Sequence, residues 1–305
     1  MENHLLRRKR CLSNWLRPAM QRLNVTRTNQ NQHLCHVCGR RQAVGKEHIP
    51  PQHAENRDEV DINYVDGNTP SGDMKFHVIR SPDGFWVSVL CDECNHKIGW
   101  RYGDAYKEFL SQITSAAGLE DTSGGVFIHL KGIYPLRILK QMFAMFLGAV
   151  PYEPAPVWKG IQEFVRKRDS PLPDNTPSVY LYKNVSKMGR IVPCCGILEL
   201  STHKTLVMSE VSWPPLGIVF AFQSDNRLNM MENVTRWGEH RFKDRADLLV
   251  KLPKLRVTSH YPLGFGTARE VEREQARRGL IYLFHVPENS ASRSDIGVLW
   301  KSKKS

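Results

Sequence analysis

The spacing of apolar residues along the chain predicts four helices. After Asn95, apolar residues recur at every third or fourth position, as they do on one face of an amphipathic helix. Residues 135–149 are apolar nearly all round, which predicts a helix buried in the core. Residues 158–165 form a shorter amphipathic pattern, and a Thr-Ala-Arg-Glu capping box opens a fourth helix over residues 267–279.

Shorter apolar runs, separated by Gly and Pro, predict strands. The runs at residues 76–79 and 85–90 are expected to form a hairpin across the turn at residues 81–84. The remaining strand-like runs lie at residues 179–185, 196–200, 206–208, 218–222, 248–252 and 281–286. This mixture of strands and few helices predicts an α+β fold with a mainly antiparallel sheet in the C-terminal half.

Changes in composition divide the chain into three predicted parts. Residues 1–33 form a basic N-terminal arm, residues 34–150 hold the motifs and the core helices, and residues 151–305 form an α+β domain for substrate binding or regulation. A proline-rich stretch that begins at residue 151 marks the boundary between the second and third parts.

The net charge of +12 is unevenly distributed. Residues 1–46 carry ten basic side chains and one acidic side chain, and residues 126–305 carry twenty-seven basic and sixteen acidic side chains. The intervening residues 47–125 carry six basic and fourteen acidic side chains. Basic surfaces attract polyanions because binding releases condensed counterions. We therefore expect a nucleic-acid partner, with a solvated basic surface as the alternative.

Cysteine usage and hydropathy indicate a cellular compartment. Seven cysteines, four of them in Cys-x-x-Cys pairs, are typical of metal binding in a reducing environment. No apolar run approaches the roughly 18 residues that a membrane-spanning helix needs, and no apolar segment follows the basic start. We expect a cytoplasmic protein without a membrane partner. The sequence leaves protein partners and the oligomeric state open.

The pairs Cys35/Cys38 and Cys91/Cys94 predict a structural zinc site. Four thiolates suit the tetrahedral coordination of structural Zn²⁺, and each Cys-x-x-Cys turn supplies two of them. The 52 residues between the pairs add only a modest loop-closure cost. Two unrelated reduced pairs are the alternative.

Polar residues beside the cysteines predict a second, catalytic metal. Glu47 can bind a divalent cation while the neutral imidazole of His48 takes a proton from an attacking water. Asn95 or His96, on the first turn of the helix after Cys94, can supply another ligand. A divalent cation (Mg²⁺, Mn²⁺ or Zn²⁺) would polarise a phosphodiester and stabilise the leaving oxyanion.

Together, these motifs resemble the HNH endonuclease family in its zinc-stapled form. The resemblance rests on Cys35-x-x-Cys38, Glu47-His48-Ile49-x-Pro51 and Leu90-Cys91-x-x-Cys94-Asn95-His96-Lys97. It covers roughly residues 34–110, about a quarter of the chain. The resemblance implies a ββα-metal core within a treble-clef zinc finger that hydrolyses nucleic-acid phosphodiesters. It also implies that Glu47 is a metal ligand, that His48 is the general base, and that Asn95, with His96 as competitor, is the second ligand.

Two positions depart from the family's pattern. The family usually has an Asn about five residues before the third cysteine, where it supports the metal loop, but this chain has Trp86 there. Asn63 and Asn68 are the candidates to replace it. The acid is Glu47, where Asp is commoner.

The expected function is that of a metal-dependent HNH-type endonuclease, a hydrolase that acts on DNA. A role in bacterial or phage defence follows only by analogy. The alternative is a noncatalytic zinc-finger protein that binds nucleic acid or regulates another protein. It would keep the four cysteines and the basic patches and lose the catalytic metal. The Glu47-His48 pair argues against this alternative, because a purely structural finger does not need it.

Three other groups of residues are interpreted as structural, not functional. His53 is interpreted as an exposed loop residue, with a contact to substrate as the alternative, and Cys194-Cys195 as a plain buried pair. Ser209-Glu210 is interpreted as part of a turn packed by aromatic residues.

A basic cluster near Trp237 and Phe242 has two interpretations. Such a mixture of basic and aromatic residues suits a nucleic-acid face, and a solvated charged face is the alternative. The members of the cluster are Arg236, His240, Arg241, Lys243 and Arg245.

Overall fold

The structure is a computed structural model that describes most of the chain. The described residues are 34–40, 42–43, 45–66, 75–115, 119–120, 125–150, 156–258, 262–278, 280–284 and 298–302. The predicted arm over residues 1–33 and the candidate Asn68 lie outside them.

Most regular structure in the described residues is β-strand. The strands are β1 Gly45–His48, β2 Val60–Asp66, β3 Lys75–Ser81, β4 Trp86–Leu90, β5 Leu119–Glu120, β6 Gly125–Ile133, β7 Ser178–Asn184, β8 Met188–Glu199, β9 Lys204–Trp213, β10 Leu216–Ala221, β11 Glu232–Asn233, β12 Ala246–Leu255, β13 Leu280–Phe284 and β14 Val298–Ser302. The runs predicted at 196–200 and 206–208 are parts of the longer strands β8 and β9. β8 continues through a bulge between Val192 and Cys195, which the apolar pattern did not indicate.

Twelve strands form one large sheet. Their order is β3-β2-β14-β8-β9-β10-β7-β12-β6-β5, with β11 paired to β7 and β13 paired to β8. Neighbouring strands are antiparallel, except that β12 runs parallel to β7. The predicted α+β class with a mainly antiparallel sheet is confirmed.

β1 and β4 form a separate antiparallel pair. In this pair Glu47 lies opposite Val87, and His48 lies opposite Trp86. The strand pair leads through Cys91, the N-cap residue, into the first helix. The molecule therefore has a small strand–strand–helix unit beside its large sheet.

The predicted hairpin between residues 76–79 and 85–90 is wrong. β3 pairs with β2 in the large sheet, whereas β4 pairs with β1. The physical reason lies at Phe85, whose N–H and C=O both hydrogen-bond to the side chain of Asn56. The backbone of Phe85 is therefore not free to continue a ladder with β3 across the turn.

The described residues contain five α-helices and three short 3₁₀ helices. They are α1 Asp92–Ile98, α2 Asp104–Ser115, α3 Pro135–Ala149, α4 Pro156–Arg166 and α5 Ala268–Arg278, with 3₁₀ turns at Gln52–Ala54, Asn226–Leu228 and Thr235–Glu239. A π-helical segment, Gly99–Gly103, joins α1 to α2. α1 begins at Asp92, before the predicted start at Asn95. The predicted capping box of α5 is confirmed, since the N–H of Thr267 donates to Glu270 over 2.7 Å.

The larger of two hydrophobic clusters in the described residues extends from Cys35 to Leu252, and almost every residue of α3 is buried in it. Strands from both sides of the predicted boundary at residue 150 pair with each other, as β6 and β12 do. The division into residues 34–150 and 151–305 stays a prediction. No helix in the described part of the chain is long and apolar enough to cross a membrane.

Side chains from α3 and from the π-helical segment bind the carboxyl end of α4. The hydroxyl of Tyr102 donates to a carbonyl of α4 over 2.6 Å, and Arg101 donates to the next carbonyl over 2.7 Å. The amino group of Lys140, a fully buried residue, donates to three more carbonyls at this end. Burial lowers the pKa of Lys140 to about 7. These contacts hold α4 against the segment that follows α1.

Candidate metal centre and active site

Four sulfur atoms from the two Cys-x-x-Cys pairs meet in one place. The Sγ atoms of Cys35, Cys38, Cys91 and Cys94 lie within 4.8 Å of one another, and none forms a disulfide. Sulfur ligands about 2.3 Å from a tetrahedral Zn²⁺ are about 3.8 Å apart, close to this spacing. The predicted convergence is confirmed, and the four cysteines form a possible metal site compatible with structural zinc.

The close packing and burial of these cysteines shift the pKa values of their thiols. The hydrogen bond between Cys94 and Cys35 lowers the pKa of Cys35 and raises the pKa of Cys94. Burial raises the pKa of Cys91. Four thiolates at this spacing repel one another unless a cation lies between them. A divalent cation removes this repulsion, so the cluster favours a metal.

His36, between the first two cysteines, anchors their turn to the core. Its Nδ1 donates to the carbonyl of Leu147 in α3 over 2.7 Å. Its backbone N–H donates to Val89 in β4 over 2.8 Å, and its carbonyl accepts from Gln162 in α4 over 2.8 Å. The cysteine cluster is therefore attached to two helices and a strand of the main core.

Glu47 is a buried carboxyl group on β1. The residue is 5% exposed, and its side chain forms no hydrogen bond or ion pair with another described residue. Burial raises the pKa of Glu47 to about 8. A buried carboxylate without a partner is costly, and a bound cation offsets that cost. The environment of Glu47 therefore suits a metal ligand.

Asn95, on the first turn of α1, lies against β1. Its Nδ2 donates to the carbonyl of Lys46 over 3.2 Å, and a Cβ added at Gly45 would lie 3.4 Å from the same nitrogen. Because the nitrogen is engaged with the strand, the amide oxygen keeps its lone pairs for a cation. His96 is exposed, and its side chain has no hydrogen bond to another described residue. Of the two predicted ligands, Asn95 is the one that contacts the strand of Glu47.

His48 is half-buried at the end of β1, and a backbone carbonyl orients its ring. The Nε2 atom lies 3.0 Å from the carbonyl oxygen of Asp83. Since a carbonyl only accepts, Nε2 carries the proton of the neutral ring and Nδ1 keeps a free lone pair. The side-chain amide of Gln52 also lies 3.2 Å from Nε2. Because Nε2 carries the proton, we assign the amide oxygen of Gln52, which can accept, to the position that faces the ring. Burial lowers the pKa of His48, which favours the neutral ring.

An ion pair holds the turn that contains this carbonyl. Asp83 pairs with Lys46, whose Nζ also lies 4.6 Å from the ring centroid of Trp86. The hydrogen bond from Lys46 lowers the pKa of Asp83. Both charged side chains are partly exposed, so the pair contributes little to stability. The pair joins Lys46 of β1 to the turn whose carbonyl contacts His48.

Asn56 is a fully buried residue that sequence reasoning missed. Its amide donates to the carbonyls of Pro50 and Phe85 over 2.6 and 2.8 Å, and it accepts from the N–H of Phe85 over 2.7 Å. Gly84 has φ +82° and packs so closely that a Cβ there would overlap Asn56. These bonds tie the segment after β1 to the start of β4.

Asn56, not the candidate Asn63, makes these bonds between the segment after β1 and the start of β4. Asn63 lies in β2 and pairs within the large sheet. No sequence signal distinguished Asn56, because it lies in a polar run between Glu55 and Arg57. Only the tertiary structure reveals that this one polar residue of the run is buried.

Two of the structural interpretations made from the sequence need correction. His53 is half-buried instead of exposed, and its Nε2 is buried without a hydrogen-bond partner among the described residues. Ser209 and Glu210 lie inside β9, not in a turn, because the strand continues to Trp213. The two adjacent cysteines at 194–195 form no disulfide, and only Cys195 is fully buried.

The chain matches no protein-family model, no curated protein and no solved structure. The resemblance to HNH endonucleases stays a prediction from the motifs. Within the described ranges, the four cysteines are the one group of three or more Cys, His, Asp or Glu side chains close enough to share a metal.

Proposed function

We propose that this protein is a metal-dependent HNH-type endonuclease that hydrolyses DNA phosphodiester bonds. The observation that supports the proposal best is the strand–strand–helix unit attached to the cysteine cluster. β1 carries Glu47 and His48, β4 pairs with β1, and α1 contacts β1 through Asn95. A ββα-metal core requires this order of elements.

His48 is the proposed general base. Its Nδ1 has the free lone pair, because Nε2 is bound to the carbonyl of Asp83. The lowered pKa keeps the ring ready to accept a proton from water. Asp83 and Lys46 act as positioning residues, since they hold the carbonyl that orients the ring.

Glu47 and Asn95 are the proposed ligands of the catalytic cation, with His96 as the remaining candidate. Glu47 fits because its buried carboxyl group has no partner in the described part of the chain. Asn95 fits because only its amide nitrogen is used by β1. When bound, Mg²⁺, Mn²⁺ or Zn²⁺ would stabilise negative charge on the scissile phosphate and the leaving oxygen.

One observation favours the noncatalytic alternative, a zinc protein that only binds nucleic acid or regulates another protein. The metal group found among the described residues is the cysteine cluster, and its anchoring through His36 serves a structural site equally well. The alternative does not explain why the carboxyl group of Glu47 is buried without a partner or why the ring of His48 is oriented by a carbonyl.

A cleavage assay separates the two functions. Supercoiled plasmid, linear DNA and RNA are incubated with the protein in Mg²⁺, Mn²⁺, Zn²⁺ or a chelator, and bis(p-nitrophenyl) phosphate serves as a small phosphodiester. We expect cation-dependent cleavage of DNA. His48→Ala should lower the rate by roughly 10²–10⁴-fold, the usual contribution of a general base.

The matched control is His129→Ala, because His129 is exposed on β6 and takes no part in the proposed site. This variant should keep the wild-type rate. DNA cleavage that is absent under all cation conditions, or that His48→Ala leaves at full rate, would contradict the nuclease proposal and favour the binding protein.

A further inference from the structure

Three arginines converge on two aromatic rings. The guanidinium carbon of Arg137, in α3, lies 4.0 Å from the ring centroid of Tyr134 and 4.4 Å from that of Phe242. The guanidinium carbon of Arg168 lies 4.3 Å from the Phe242 centroid, and that of Arg245 lies 4.6 Å from the Tyr134 centroid. We call these five residues the arginine–aromatic cluster.

The cluster has no negative charge of its own. None of its arginines forms an ion pair with a described residue. The pKa of Arg245 is raised by its hydrogen bond with Tyr134 and by the nearby carboxylate of Glu108. Two other carboxylates nearby accept from backbone N–H groups: Asp244 from Arg241 over 2.8 Å and Asp247 from Gly132 over 2.7 Å. Stacking on a ring at a partly exposed site returns only about 0.5–1 kcal/mol. The guanidinium groups therefore keep donors for an external anion.

The geometry prepares the guanidinium groups for phosphate oxygens. The Nε of Arg137 donates to the carbonyl of Phe242 over 2.9 Å, which fixes the plane of its guanidinium and leaves donors on the other nitrogens. The Nε of Arg168 is buried and has no hydrogen-bond partner in the described ranges. Arg137 and Arg168 are half-buried, and Arg245 is exposed, so an anion can reach them. A planar fork of donors matches the oxygens of a phosphate.

The cluster lies at the far end of the helical segment that carries Asn95. The ring of Tyr102, in the π-helical segment, is 6.2 Å from that of Phe242. Tyr102 follows Asn95 by seven residues, which is about 10 Å along a helix axis. That length is about three base-pair rises of a DNA duplex. Along the helix axis, the residue that contacts the cluster is therefore separated from Asn95 by the length of a few nucleotides.

We propose that the arginine–aromatic cluster binds the phosphate backbone of the nucleic acid that the active site cleaves. The proposal rests on the proposed nuclease function for the identity of the anion. The cluster differs from the basic group predicted from the sequence, because Arg137 and Arg168 join it only through the fold. Arg236 lines a separate cleft together with Asp174 and Glu239, so it is not a member.

The test measures DNA affinity by fluorescence anisotropy as a function of KCl concentration. The variants are Arg137→Gln/Arg168→Gln and Arg245→Gln. The matched control for Arg245→Gln is Arg256→Gln, which also removes one positive charge but lies just beyond the other end of β12, about 36 Å away at 3.3 Å per residue. Each lost phosphate contact should reduce the slope of log K against log salt by about 0.9 for duplex DNA. For the double variant, we expect the slope to fall by about twice this amount. We also expect it to bind DNA at least tenfold more weakly than the wild type in low salt.

Further measurements keep the outcomes distinct. The cluster variants should hydrolyse bis(p-nitrophenyl) phosphate at the wild-type rate, because that substrate is too small to reach the cluster. An Arg137→Lys/Arg168→Lys variant keeps the charge and should recover most of the salt slope if the folded structure is intact.

The proposal fails if the cluster variants bind DNA as Arg256→Gln does. It also fails if they lose only the binding of inorganic phosphate. If DNA binding depends on the cluster but nothing is cleaved, the binding surface stands and the nuclease proposal falls.

Discussion

Glu47 and Glu210 are both buried carboxyl groups, but their surroundings are opposite. Glu210, in β9, is fully buried and accepts hydrogen bonds from Arg190 at 2.7 and 3.0 Å and from the hydroxyl of Tyr182 at 2.6 Å. Glu47, in β1, is nearly as buried and has no such partner in the described residues. The difference separates a structural carboxylate from a candidate ligand, because a protein retains a buried carboxyl group without a partner only where another requirement favours it.

The surroundings of Glu210 explain its structural role further. Arg190 also donates to the carbonyl of Gly264 over 3.0 Å, and the N–H of Leu263 lies 3.4 Å from Glu210. The ion pair thus connects two strands of the large sheet with the loop that precedes α5. By contrast, the region of Glu47 depends on the cysteine cluster and on Asn56 for its shape.

The largest expected effect comes from removing one thiolate. Cys94→Ser should abolish stoichiometric zinc and destabilise the region of β1, β4 and α1 by several kcal/mol, because the energy of binding a structural metal is folding energy. Metal analysis and hydrogen exchange would measure both effects. The ion-pair region around Glu210 should keep its protection, and Cys194→Ser should retain the metal. Equal loss of protection in both regions would show that they fold as one unit.

The next effect is expected at Glu210. Glu210→Gln keeps the shape of the side chain but leaves the buried guanidinium of Arg190 without its counter-charge. Breaking a buried ion pair in this way costs about 3–5 kcal/mol. Urea unfolding followed by fluorescence would measure the loss. A cost below about 1 kcal/mol would mean that the ion pair contributes little here.

Glu47→Gln is the matched substitution, and we expect the opposite result. The variant removes a carboxyl group that is costly to bury, so the stability of the metal-free protein should rise or change by less than about 1 kcal/mol. Cation-dependent cleavage should be lost, because the amide is a weaker ligand for a hard cation. A loss of stability equal to that of Glu210→Gln would contradict the contrast between the two sites.

The smallest expected effect concerns a third buried ionisable group, Lys140. Burial lowers its pKa in the folded protein to about 7, below the usual 10.5. Between these values the unfolded chain binds a proton that the folded chain lacks, so this group makes stability rise with pH over that window. Urea unfolding at pH 7, 8 and 9 would detect the rise relative to Lys140→Met, which cannot titrate. An identical pH dependence in both proteins would show that Lys140 stays charged when folded.

The sequence by itself determined the elements whose causes are local. Pro135–Ala149 has its predicted bounds, because helix formation depends on hydrogen bonds and side chains within a few residues. The capping box at Thr267 is correct for the same reason. The meeting of the four cysteines was also predictable, because their spacing reflects the coordination chemistry of a metal.

Only the tertiary structure decided the strand partners and the environments of the buried polar groups. β4 pairs with β1 instead of β3, because strand pairing joins distant segments and the side chain of Asn56 occupies the backbone of Phe85. Glu210 meets its partner Arg190 across two strands, whereas Glu47 is buried without one. The sequence does not show what surrounds either of these two glutamates in the fold. The free energy of a buried charge depends on what the fold places around it, so the different surroundings of the two carboxyl groups became visible only in three dimensions.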